Sequence, residues 1–221
     1  MTGDDTLRSG SDYSSYVFLS IRDYSFVMPV NATWGELLVG AYHKRMNGCE
    51  VVSYNNRSEE RGNQMEADVI AIDNDRGKGR QNVYVCEVVT HMSGKLYSGT
   101  PDDGWWTEFT NTKAHQFSLQ KLQKKFLEDY RYVNDTFGNA SDHAFQFWAP
   151  VVTGWERGSG LIEGLEELAD RFESETGEEL ELIINQDYTE RIENLQTEAQ
   201  GDTSDYGAPA FRFLQILENL K

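Results

Sequence analysis

Met65-Glu66-Ala67-Asp68-Val69-Ile70-Ala71-Ile72-Asp73, a polar turn Asn74-Asp75-Arg76-Gly77-Lys78-Gly79, and then Val83-Tyr84-Val85-Cys86-Glu87-Val88-Val89-Thr90-His91 form the stretch on which the fold turns. Two β-rich runs separated by a short Gly-containing turn specify an antiparallel hairpin, with strands over 67–72 and 83–89. Side chains on a strand alternate, so Val83, Val85, Glu87, Val89 and His91 share one face. A carboxylate within Val-Tyr-Val-Cys-Glu-Val-Val is costly to bury without a cation or a proton, unless the strand is an edge and Glu87 is solvated. An Asp at the start of one strand and a Glu near the end of its partner bring two carboxylates together. A divalent cation, Mg2+ or Mn2+, would offset their repulsion.

Upstream of the hairpin, Thr33-Trp34-Gly35-Glu36 reads as a capping box opening a helix that ends near Asn47-Gly48. Trp34, Leu37, Leu38, Ala41 and Tyr42 form its apolar stripe, with Glu36 and His43 nearly opposite. A first strand is expected over 50–54. Downstream, residues 91–111 form a long connection containing Trp105 and Trp106, a pair suited either to stacking on bases or to packing the loop on itself. An amphipathic helix follows, with Leu119, Leu122, Phe126, Tyr130 and Val133 on one face. Lys121, Lys124, Lys125 and Glu128 take the other. A fourth strand is expected over 144–152. The remainder reads as an acidic helix with Ile162, Leu165, Ala169 and Phe172 inward, a strand over 180–184, and a last helix from Pro209 with Phe213, Leu217 and Leu220 inward.

At 221 residues the chain suits one domain rather than two. Residues 1–15, rich in Asp, Ser and Gly, read as a flexible N-terminal arm, and 16–221 as a single α/β domain with a core over 33–152 and additions over 153–221. The opening residues lack the apolar core of a secretion signal, and no apolar run approaches the ~18 residues of a membrane span, so a cytoplasmic protein is expected. Cys49 and Cys86 lie in apolar surroundings and read as small buried hydrophobes. With 37 acidic against 20 basic residues the net charge is −17, and the pI is about 4.6. Acids dispersed over every segment resemble the halophilic pattern, because at ~1 M salt the screening length falls to ~3 Å and self-repulsion is largely removed. Phosphate-binding loops, dinucleotide fingerprints, serine-hydrolase elbows and zinc spacings are absent from the sequence.

The order of helix, three strands, helix, strand, together with Glu36, Asp68 and Glu87, resembles the restriction-endonuclease-like, or PD-(D/E)xK, nuclease superfamily. The likeness covers roughly residues 33–152. It implies a mixed central sheet flanked by helices, Asp68 and Glu87 as Mg2+ ligands with Glu36 as a third acid, and hydrolysis of a phosphodiester. The family's lysine position is Val89 here, which cannot supply a charge. His91, Lys95 and Lys113 are the candidates to replace it, since only the position of the ammonium in space matters. Lys113, Lys121, Lys124 and Lys125 are candidate phosphate contacts, or else a solvated helix face paired with acidic neighbours. The resemblance thus implies a nucleic-acid partner, DNA ahead of RNA, and allows a homodimer. Val89 favours a second reading, a nuclease-like binding or regulatory module without cleavage.

Overall fold

The computed structural model of the chain describes residues 32–58, 65–75, 79–90, 92, 113–152 and 160–221. The 1–15 arm, His91, Lys95 and the two tryptophans of the 91–111 connection lie outside them. The elements are α1 (Trp34–Met46), β1 (Val51–Ser58), β2 (Met65–Asp75), β3 (Arg80–Val88), α2 (Lys113–Phe137), β4 (Asp142–Ala149), α3 (Gly160–Thr176), β5 (Leu180–Ile184), α4 (Asn185–Ala199) and α5 (Pro209–Asn219).

One mixed five-stranded sheet runs in the order β1-β2-β3-β4-β5. The first three strands form an antiparallel meander. β4 lies parallel to β3 and β5 parallel to β4, with α2 and α3 as the crossover helices. β3 is therefore the central strand, and Glu87 is buried rather than solvated at an edge.

Alternation sorts the strand residues onto two faces. Val83, Val85, Val89, Phe145, Phe147 and Leu180 pack beneath α2 and α3 against Leu119, Leu122, Phe126, Leu165 and Phe172. Phe145 and Phe172 meet with ring centroids 5.1 Å apart, and Phe126 and Phe172 at 5.9 Å. Each such fully buried side chain contributes about 1.5–3 kcal/mol of transfer free energy. On the other face Val69, Cys86, Trp148 and Ile183 meet Val39 of α1. A third layer forms where Leu37 and Ala41 of α1 pack on Leu195, Ala199, Ala210 and Phe211 of α4 and α5.

Helix α1 starts at the expected box: Thr33 is the N-cap and Glu36 reaches back to it. Gly48, at φ +72°, turns the chain out of the helix in a conformation that other residues reach only with strain. The helix is covered on two sides, so His43 is fully buried against the sheet, whereas Trp34, expected inside, is 60% exposed. The last helix departs further from expectation. It buries Ala210, Phe211 and Gln215 and turns Phe213, Leu217 and Leu220 outward. Helix α4 was not expected at all. No described helix is long and apolar enough to cross a membrane.

Candidate active site

The hairpin register pairs Val69 with Cys86, and upstream of Val69 strand β2 pairs with β1 alone. β2 and β3 thus part at Asp68 and Glu87, leaving the next backbone donor of β3 without a strand partner on that side. The Asp68 carboxylate takes that place: the Val88 N–H donates to its Oδ2 at 2.7 Å. A carboxylate so anchored cannot swing away from the fork. Asp68 and Glu87 point to the same face of the sheet, the one covered by α2, as the alternation requires.

From α2, Lys125 reaches down to both acids. Its Nζ forms a close ion pair with Glu87 Oε2 and lies 3.7 Å from Asp68 Oδ1. Lys125 is not on the solvated face where the helical stripe had placed it; only 28% of its side chain is exposed. One turn further on, Asp129 is wholly buried against the same cluster. Its carboxyl faces Glu87, and neither of its oxygens has a hydrogen-bond donor among the described residues. Two carboxyl groups in contact form a hydrogen bond only when one of them holds a proton.

Electrostatics follows from this geometry. Burial, reinforced by the Asp68 charge and opposed by Lys125, raises the Glu87 carboxyl well above the ordinary carboxylate range. Burial likewise lifts Asp129 to about 7, although contact with Glu87 and the Lys125 charge pull the other way. Among the described residues, Asp68, Glu87 and Asp129 gather around the Lys125 ammonium. Carboxylate oxygens are the donors a hard divalent cation takes. Asp68 and Glu87 would hold it, as one or two carboxylates suffice for Mg2+ with water completing the shell. Among the described residues no three His, Cys, Asp or Glu side chains are arranged to hold a metal ion together.

Glu36 holds the start of α1. Its carboxylate accepts from the Thr33 N–H at 3.0 Å and the Thr33 hydroxyl at 2.9 Å. Asn55 of β1, itself at φ 49°, donates to it at 3.1 Å. The residue of α1 that touches the end of β3 is its neighbour Gly35. A Cβ there would come within 2.5 Å of Thr90 Cγ2, so a larger residue at 35 would have to displace that side chain. Val89, where the resemblance would place a lysine, is buried in the core under α2. Lys121 and Lys124 are exposed, with Lys124 3.8 Å from Glu128, and Lys113 opens α2.

Lys125 and Asp129 are the residues that sequence reasoning missed in this role. The signal was present: 122, 125 and 129 recur at helical spacing beside the apolar stripe.

A second buried polar cluster lies on the opposite face. Asn47 Nδ2 donates to His43 Nδ1 at 2.9 Å, leaving His43 Nε2 toward Cys86 Sγ at 3.3 Å. The Cys86 thiol and the Trp148 indole N–H both point at Gln146 Oε1, at 3.6 and 3.0 Å. Gln146 Nε2 in turn donates to Glu181 at 2.7 Å, and Glu181 pairs with Arg191. Burial drives His43 down to about 3, so it is neutral, and raises Cys86 well above its ordinary value. Neither is poised for nucleophilic chemistry. Cys49 and Cys86 are free thiols, buried as expected.

Compared with known proteins, the chain matches no family model, no curated protein and no solved structure.

Proposed function

We propose that this chain is a metal-dependent nuclease of the restriction-endonuclease-like fold. Asp68 and Glu87 hold Mg2+, and Lys125 supplies from α2 the ammonium missing at Val89. The observation that carries the reading is the convergence of Lys125 on both carboxylates at the fork between β2 and β3. The element order α1-β1-β2-β3-α2-β4 supports it as well.

Bound Mg2+ would polarise the scissile phosphate and lower the pKa of a coordinated water. The protein's own residues do the rest. The Val88 N–H holds the Asp68 carboxylate in one orientation, and the Lys125 ammonium stands within reach of negative charge developing on a phosphoryl oxygen. Val85 and Val89 keep the site's floor apolar, which strengthens each of these interactions. DNA is the proposed substrate. A chain of net charge −17 gains little from counterion release, so metal bridging and shape carry more of the affinity.

The test is cleavage of plasmid, single-stranded DNA and RNA with Mg2+ or Mn2+, from dilute buffer to concentrated salt. The wild type is expected to cleave, with Glu87→Gln and Lys125→Met each slower by about 100-fold or more, the loss typical of removing one transition-state contact. Glu36→Gln should stay within about threefold, since it changes a cap. No cleavage of any substrate together with no Mn2+ binding would overturn the proposal. The second reading, a nuclease-like module that binds without cutting, is favoured by one observation: Glu87 is only 1% exposed, with Lys125 closed over it.

A further inference from the structure

Helix α5 and the start of α1 leave an apolar seam uncovered. Phe213, Ile216, Leu217 and Leu220 recur at helical spacing on one side of α5, between 41% and 78% exposed, and the Trp34 ring extends the seam at 5.7 Å from Phe213. Such a patch on a chain this acidic marks an interaction surface. Its size decides between occupants. Five partly exposed side chains, the aromatics contributing at most ~150–250 Å² each when fully covered, offer on the order of 400 Å². A stable dimer needs about 800 Å² from each partner. The seam is half of that, the footprint of one short segment.

We propose that the occupant is the stretch Tyr24-Ser25-Phe26-Val27-Met28 of the same chain. The chain delivers it to this place. Ala32, just ahead of the α1 cap, already packs into the cluster formed by Leu37, Leu195, Ala199 and Phe211. From Met28 to Trp34 the backbone spans up to about 20 Å, whereas the seam from Phe213 to Leu220 is about 10 Å long. Four of the five residues are apolar and none is charged, which suits an apolar groove. Tethered so closely, the stretch faces the seam at an effective concentration in the millimolar range, so weak contacts suffice.

Hydrogen exchange on the full chain tests this. Amides of 24–28 should exchange at least about tenfold more slowly than in a free peptide of that sequence. In Ile216→Ser/Leu220→Ser they should reach the peptide's rate while β2 and β3 stay protected. The reciprocal variant Phe26→Ser should speed exchange across 213–220. Wild-type amides of 24–28 exchanging at the peptide's rate would overturn the proposal. So would light scattering that finds a dimer which the double variant dissociates, since a second copy would then be the occupant.

Discussion

Cys86 and Glu87 are neighbours on the central strand, and they enter two different kinds of interior. Cys86 faces α1 and joins a neutral network, His43, Gln146, Trp148 and Asn47, whose hydrogen bonds pass from donor to acceptor out to the Glu181–Arg191 pair. Glu87 faces α2 and joins Asp68, Asp129 and Lys125, where the Asp129 oxygens lack donors among the described residues. Depth is the same, and satisfaction is not. A satisfied neutral network specifies packing, whereas an unsatisfied charged one is a place where a ligand has something to supply.

The comparison breaks most visibly at Lys125. Lys125→Met leaves Glu87 buried beside two other acids, and should cost about 3–5 kcal/mol of stability at neutral pH by urea denaturation. The loss should shrink in acid as the carboxyls take up protons. If Lys125→Met unfolds no more easily than the wild type, the charged side is not built around that ammonium.

A smaller effect, of opposite sign on the two faces, sharpens the contrast. His43 titrates at about 3 in the folded state against 6.5 unfolded, so its network loses stability as pH falls from about 6.5 toward 3. Asp129, raised to about 7 from 3.8, does the reverse and loses stability as pH rises across that window. Asp129→Asn should therefore be more stable than the wild type at pH 7.5, by about 1–3 kcal/mol, with a steeper rise of stability from pH 4 to 7. His43→Gln should cost a similar amount at neutral pH and flatten that rise. Parallel pH profiles in both variants would remove the distinction between the faces.

The smallest effect belongs to the surface. Lys124→Ala, which removes a largely exposed lysine and its pair with Glu128, should change stability by less than about 0.5 kcal/mol. A larger change would mean that the α2 lysines act as one charged unit rather than as a site residue beside solvated neighbours.

Much of this arrangement was legible in the sequence. Thr33 and Glu36 announced α1, alternation through Val83 to Val89 announced β3, and its apolar neighbours made Glu87 the strongest candidate. The element types that failed did so for identifiable reasons. Helix α4 buries only Leu195 and Ala199, too sparse a stripe to register as periodic. Helix α5 carries apolar residues on both sides, and periodicity does not say which side meets the core. Lys125 was grouped with Lys121 and Lys124 because charge alone was read, whereas its angular position beside Leu122 and Asp129 sets it at the edge of the buried face. The side chains of His91, Lys95 and Lys113, the candidate cations read from the sequence, lie outside the described residues. The ammonium that meets Asp68 and Glu87 is that of Lys125, on the crossover helix.

That the counter-charge sits on α2 while two of the acids sit on the hairpin has a consequence for how the chain folds. The β2–β3 hairpin can form early, because its contacts are close in sequence, but it cannot lose water around an ionised Glu87 until a cation arrives from residues nearly forty positions later. Hairpin closure and helix docking are thereby made a single cooperative event.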